Sequence, residues 1–358
     1  MRRHMFAAVF LGLPLATVLA AAQSSSAVPP ARAAAAPAGI EVPSLDRSVD
    51  ACTDFYQFVC GGWMAANPMP PDRQRWGRFN QLQDQNFTIL RRILETPATG
   101  GDRKKASDYY AACMDEAGIE AKGERPLEDL NRIAAITGKG ELPALVAHLQ
   151  SIGVNVFFRF GSRTDLRDAT RQIANVDQGG LGLPDRDYYL KTDARSLELK
   201  QKYQSHVQKM LGMLKTPPAI AETQARAVLD IETHLADAAL DRTARRDPAT
   251  TDHMMSRAEW QALTPDLDWS KYLAAAGAPA FSQINVSVPG YLKSLNALIT
   301  STSLGDLKAY LAWQLVNASA QMLPKAFADA DFDFFSRTLG GQQEPLPRWQ
   351  RCVTQTDE

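Results

Sequence analysis

The stretch Asp50-Ala51-Cys52-Thr53-Asp54-Phe55-Tyr56-Gln57-Phe58-Val59-Cys60-Gly61-Gly62-Trp63 carries the first decision about the fold. Phe55, Val59 and Trp63 recur at i, i+4 and i+8, the spacing that lines apolar side chains along one helix face, and Asp54 stands just before them as an N-cap acceptor. Cys52 and Cys60 therefore fall on or beside one helix. Eight residues of helix span about 12 Å, beyond the roughly 7 Å that a disulfide tolerates, so these two cysteines do not pair with each other.

The helical period continues outward from this segment. Phe79, Leu82, Leu90, Ile93 and Leu94 make one apolar face that Glu95-Thr96-Pro97 stops. Val228, Ile231, Leu235 and Ala238 make another, and Leu307, Leu311 and Leu315 a third, opened by Ser303-x-x-Asp306. Asp247-Pro248 sets an N-cap acceptor before a proline at N1, and Ser256-x-x-Glu259 is a capping box ahead of Trp260 and Leu263. One region breaks the period. Val154-Asn155-Val156-Phe157-Phe158-Arg159-Phe160-Gly161 and Arg171-Gln172-Ile173-Ala174-Asn175-Val176 are rich in β-branched and aromatic residues, which predicts a small antiparallel β pair. The glycine cluster that follows, Gln178-Gly179-Gly180-Leu181-Gly182-Leu183-Pro184, lacks the strand-then-helix setting and the Lys-Ser/Thr ending of a phosphate loop, so it reads as a tight backbone turn. The expected class is mainly α with a small antiparallel β pair.

Charge excludes one class of partner. Lys and Arg number 39 against 40 Asp and Glu in 358 residues, a net charge of -1, so no basic surplus drives nucleic-acid binding. At the N-terminus Arg2, Arg3 and His4 precede an apolar run from Phe6 to Leu19 and the small residues Ala20-Ala21-Ala22, the pattern of a signal peptide over 1–22. That run is interrupted by Gly12 and Pro14 and is shorter than a membrane span, so no stable membrane insertion is expected after cleavage. An Ala/Pro/Ser-rich flexible linker over 23–43 follows, and then a folded domain over 44–358. Export to a periplasmic or extracellular space makes disulfides permissible among Cys52, Cys60, Cys113 and Cys352; spacing alone does not choose a pairing for Cys113 or Cys352.

The chemistry read from the residues alone is sparse. Zinc hydrolysis calls for two histidines one helical turn apart with a Glu between them, and His4, His148, His206, His234 and His253 supply no such pair. Asp230, His234, Asp237 and Asp241 lie roughly along one helix face, where a solvated face paired with Arg242 and Arg245 is the simpler account than a metal site. No Gly-x-Ser-x-Gly occurs, and no cysteine has a recognisable His partner in sequence.

The opening segment, continued through Asn67-Pro68-Met69-Pro70 to Arg75-Trp76-Gly77-Arg78-Phe79, strongly resembles the start of the neprilysin and endothelin-converting-enzyme family of zinc metallopeptidases. Three later blocks resemble that family in order and spacing: Gln178 to Tyr189, Arg245-Arg246-Asp247-Pro248, and Pro345-Leu346-Pro347-Arg348-Trp349-Gln350-Arg351-Cys352. The resemblance runs from about Ser44 to Glu358. It implies a multi-helical N-terminal lid domain, incomplete at its C-terminal end. Family members are roughly twice this long, and their catalytic half, with His-Glu-x-x-His, corresponds to sequence beyond Glu358.

Carried over residue by residue, the resemblance implies that Arg75 binds the carboxylate of a peptide substrate, a role suited to a planar guanidinium that grips two oxygens at once. Position 83 is Gln rather than a second basic residue, which puts further subsite contacts in doubt. The same resemblance implies a Cys113–Cys352 disulfide and assigns Cys52 and Cys60 partners in the missing half. The expected function is the substrate-access domain of an exported zinc metalloendopeptidase acting on peptides, truncated before its catalytic motif. Zinc is expected in the full-length enzyme and not on this chain, which is not expected to be active alone. The alternative is a non-catalytic exported module that binds peptides or other partners.

Overall fold

A computed structural model describes residues 42–123 and 128–357. The signal segment expected over 1–22 lies outside the described residues. So does the linker expected over 23–43, except Val42 and Pro43, which open a 3-10 turn at Val42–Ser44. The chain divides into two compact units, one ending at Pro68 and the other beginning at Met69.

In the first unit, helix α1 spans Phe55–Ala66 and begins where the Asp54 side chain accepts from the Gln57 backbone N–H at 2.9 Å. Asp46 holds the preceding turn onto it: its side chain accepts from Gln57 Nε2 at 2.9 Å, and its N–H donates to the Phe58 carbonyl at 2.8 Å. This close approach explains Gly61 and Gly62. A Cβ at Gly61 would lie 2.6 Å from Asp46 Cβ, and one at Gly62 only 2.5 Å from the Pro43 carbonyl oxygen.

The second unit is mostly helical and holds a single sheet among the described residues. Its strands are β1 (Phe158–Thr164), β2 (Gln172–Gln178), β3 (Met254–Ser256) and β4 (Gln283–Val286), in the order β1-β2-β4-β3. Strands β1 and β2 form the expected antiparallel pair, with Phe158 opposite Gln178 and Thr164 opposite Gln172. Strand β4 runs parallel to β2 and antiparallel to β3. The first strand starts later than the sequence predicts. Val154, Val156 and Phe157 are apolar because they are buried, not because they pair, and Phe157 turns the chain with φ of 56°. Strands β3 and β4, at 3 and 4 residues, are too short to show a period of two.

The predicted helix starts are in place. Ser303 caps Leu304–Ser319, Ser256 and Glu259 form a reciprocal capping box, and Asp247 accepts from Ala249 ahead of Pro248–Thr251. Val228, Ile231 and Leu235 are buried in the Pro218–Ala238 helix, as are Leu307, Leu311 and Leu315 in the next apolar face.

The glycine cluster is a turn built around a charge-bearing group. Glu232, fully buried, accepts from the Tyr189 and Tyr203 hydroxyls at 2.8 and 2.7 Å and from Gln314 Nε2 at 2.7 Å. Gln314 Nε2 and the Tyr310 hydroxyl also donate to the Gly180 carbonyl, at 3.1 and 2.7 Å. Gly180 has φ of 78°, and a Cβ at Gly182 would lie 2.0 Å from the Tyr203 hydroxyl, so only glycine lets the backbone come this close. Burial pushes the Glu232 carboxyl up to about 7 against the hydrogen bonds that favour its ionised form.

A smaller apolar cluster lies apart from this core. Helices α2 (Arg78–Glu95) and α3 (Gly101–Met114) meet the Arg348–Asp357 helix around Tyr110, Cys352 and Val353, with Phe87, Leu90, Leu94 and Trp349 packed against them.

Candidate functional site

Arg75 lies in the irregular segment that leads into α2, and its neighbours are fixed on both sides. The Pro71 carbonyl accepts from the Gln343 and Glu344 backbone N–H groups at 2.9 and 3.1 Å. The Arg73 guanidinium, with a side chain only 13% exposed, pairs with Asp72 at 3.0 Å and with Asp84 of α2 at 2.8 Å. It also donates to Gln350 Oε1 at 3.3 Å and lies over the Trp76 ring, 5.9 Å from its centroid. Gln74 packs so close to Gly340 that a Cβ there would lie 2.2 Å from its Nε2. Arg75 alone of the two arginines is exposed, and it has no hydrogen-bond or ion-pair partner among the described residues. The backbone that carries Arg75 is thus anchored, and its guanidinium presents free donors in a planar fork, a geometry that matches the two oxygens of a carboxylate.

The face of α2 next in sequence extends this surface. Phe79, in the first turn of α2, is 88% exposed, and Leu82, Ile89 and Ile93 are exposed as well. The single apolar face read from the sequence is thus two. Leu90 and Leu94 turn inward with Phe87, while Phe79, Leu82 and Ile93 turn outward. Gln83 is exposed. Phe79 is the residue that the sequence reading missed as part of a surface, because a period of 3.6 does not separate a wide buried stripe from a buried and an exposed one side by side.

The cysteines divide into one pair and two thiols. Cys113 and Cys352 are joined, Cα to Cα 5.7 Å, and Arg348 donates to the Cys113 carbonyl through Nε at 2.8 Å. Cys52 is exposed and Cys60 half-buried, both unpaired.

Among the described residues no group of three or more His, Cys, Asp or Glu side chains is placed to hold a metal ion. His234 shares a hydrogen bond with Ser294 at 2.9 Å, and Asp241 accepts from the Thr243 and Ala244 N–H groups at 2.8 Å. The two arginines read as partners of that face turn away from it: Arg242 pairs with Asp185 at 2.7 Å and Arg245 with Asp177 at 2.9 Å. His148 meets Asp129 at 2.8 Å. His206 is buried against Phe334, ring centroids 4.9 Å apart, and burial pulls its pKa down to about 4. Glu232 has an acid's pKa near neutrality but no exposure, and the three donors around its oxygens belong to the core; it is a structural carboxylate.

Residues 51–358 match the sequence profile of peptidase family M13. This chain belongs to peptidase family M13. It is 35% identical over 334 residues to endothelin-converting enzyme 1 of Rattus norvegicus, covering 88% of this chain and 43% of that one. It is 32% identical to an endothelin-converting enzyme homolog of Locusta migratoria, covering 98% of this chain and 51% of the other. Among solved structures it superposes on the zinc metalloprotease Zmp1 of Mycobacterium tuberculosis, in complex with inhibitor, with a TM-score of 0.83, 31% identity and coverage of 88% of this chain and 49% of that one. The M13 chain described here spans about half the length of the relatives it matches.

Proposed function

We propose that this M13 chain is the substrate-access part of an exported zinc metalloendopeptidase and that Arg75 grips a carboxylate of its peptide substrate. The observation that carries the reading is the contrast between Arg73, with a carboxylate on each side, and Arg75, two residues away on the same anchored segment with none. Family membership and the coverage of about half of each relative support it. Export is supported by the Cys113–Cys352 bond and by the signal-like start of the sequence. No helix of the described residues is long and apolar enough to cross a membrane.

In this reading the described residues bind and orient; they do not cleave. Zinc and the hydrolytic step are, in this reading, supplied by a catalytic portion outside the described residues. The Arg75 fork holds the substrate's carboxylate, exposed Phe79 in the first turn of the helix that follows offers an apolar surface for a neighbouring side chain, and the helical layers restrict access to peptides. The test uses the protein joined to its catalytic portion: Arg75→Ala should impair peptides with a free C-terminal carboxylate far more than the same peptides amidated. Equal losses on both would remove Arg75 from the substrate site.

A further inference from the structure

The Arg245-Arg246-Asp247-Pro248 motif has no part in the substrate reading, yet its two arginines, with Arg242, line one side of a cleft of about 380 Å³. The opposite wall is the face of the sheet turned away from the core. Side chains alternate along β1 and β2, so with Phe158 and Val176 buried, Arg163 and Asp177 project from the other side. We propose that this cleft is a binding site for a dianionic oxyanion of the phosphate class.

The charge count motivates the choice of ligand. Four guanidinium groups, those of Arg163, Arg242, Arg245 and Arg246, line the cleft. Asp185 engages Arg242 and Asp177 engages Arg245. Arg163 and Arg246 have no ion-pair partner among the described residues. Two positive charges therefore converge without counter-charge on a chain whose net charge is -1. The neighbouring cavity, about 670 Å³ and also rich in charge, does not behave this way. There Lys191 pairs with Asp187 at 3.1 Å and Lys202 with Glu198 at 2.7 Å, so its charges cancel.

The cleft is also built rather than floppy. At its floor Ser287 and Thr251 are 2% and 8% exposed. Behind them Asn285 donates to Asn175 Oδ1 at 2.8 Å and to the Thr251 carbonyl at 2.9 Å, which locks the sheet to the 241–251 segment. The basic segment is held by its own acids: Asp241 accepts from Thr243 and Ala244, and Asp247 from Ala249, at 2.8 to 2.9 Å. Guanidinium forks fixed at their backbones match the oxygen spacing of phosphate, and two uncompensated charges match a dianion better than a monocarboxylate.

Titration of the full chain by calorimetry at constant ionic strength tests this, with inorganic phosphate and O-phosphoserine as probes and sodium chloride as control. Saturable binding of either probe is expected, and the tighter of the two tells a free anion from a phosphoryl group carried on an organic molecule. Arg246→Ala and Arg163→Gln should each weaken binding roughly 10- to 100-fold, the cost of losing one charge-assisted contact, while Arg226→Ala, outside the cleft and paired with Glu222, should not. Without ligand, Arg246→Ala should melt no lower than the parent, since it relieves like-charge repulsion; a lower melting temperature would mark the arginine as a structural group and overturn the proposal. Heat changes reproduced by chloride, or binding indifferent to both variants, would overturn it too.

Discussion

Arg73 and Asp84 lie 2.8 Å apart, and that pair ties the segment carrying Arg75 to the helix that follows it. With the Arg73 side chain 13% and Asp84 33% exposed, the pair is neither a solvated surface contact nor a fully buried one. Arg73→Ala should therefore cost about 1–2 kcal/mol, between the limits for exposed and buried pairs, because it leaves Asp72, Asp84 and Gln350 without their shared donor. Urea denaturation with an unchanged slope checks this. A variant as stable as the parent would mean that the segment is not clamped and that Arg75 has no fixed position.

Glu232 predicts a pH signature. Its folded pKa, raised from 4.5 to about 7, means that between those values the native state holds a proton that the unfolded state has lost. Its contribution to stability is complete below 4.5 and falls as pH rises to about 7. His206 acts oppositely: its pKa drops from 6.5 to about 4, so its contribution is lost as pH falls from 6.5 to 4, and the two partly mask each other. Comparison of parent and Glu232→Gln removes the mask. The stability advantage of the parent should narrow as pH rises from 4.5 to 7, by up to about 1.4 kcal/mol per unit, the equivalent of one proton. A constant difference across that range would show that Glu232 is ionised throughout. The variant also sets an amide donor against the Gln314 donor, so a loss of stability at every pH is expected besides.

The same residues mark where sequence was legible and where it was not. Asp54, Ser256, Ser303 and Asp247 announce their helices because a cap needs only local atoms. The β1–β2 pair was visible for the same reason, while β3 and β4 exist only because distant segments meet. Glu232 stands four residues after Val228 and three before Leu235, on their apolar face, but what satisfies a carboxylate there could not be read: Tyr189, Tyr203 and Gln314 stand 43, 29 and 82 residues away. Arg75 and Arg73 look alike in sequence. The difference between them, one paired and one free, depends on Asp84 and Gln350 and appears only in three dimensions.

The Cys113–Cys352 bond closes the chain across a separation of 239 residues. In the chain-entropy account such a loop contributes up to ~5 kcal/mol. Its loss should be felt first in the small cluster of Tyr110 and Val353, which lies apart from the larger core. Cys352→Ser should raise amide exchange in Arg348–Asp357 and α3 well before the larger core opens. Exchange rising uniformly across the chain would point to a single cooperative unit instead. Alkylation before reduction should label Cys52 and Cys60 and spare the other two.

The outward face of α2 predicts poor behaviour of the chain on its own. Leu82 and Ile93 are 53% and 45% exposed on the same helix face as Phe79, an apolar stripe of the kind that drives association. Leu82→Gln with Ile93→Lys should increase the monomer fraction in light scattering. Each side chain is about half exposed, so each change should cost no more than roughly half of the ~1.5–3 kcal/mol that full burial is worth. An unchanged monomer fraction would mean that association, if any, uses another surface.

The contrast between free and amidated peptides gives Arg75 its sharpest test, in the protein carrying its catalytic portion. The Arg75 guanidinium has no partner to lose among the described residues, so Arg75→Ala should leave stability within about 0.5 kcal/mol of the parent. Its effect should fall on kcat/KM for substrates with a free carboxylate, by roughly 10- to 150-fold, the equivalent of ~1.5–3 kcal/mol for a charge-assisted contact. Amidated peptides have already lost that contact and should be cut by parent and variant alike. Arg75→Lys keeps the charge and loses the planar fork, so it should recover only part of the activity on free acids. A folding defect would lower both activities together, and a purely long-range attraction would be rescued fully by lysine and suppressed by salt. Only a directional contact with the carboxylate produces partial rescue, selectivity for the free acid and an unchanged melting temperature at once.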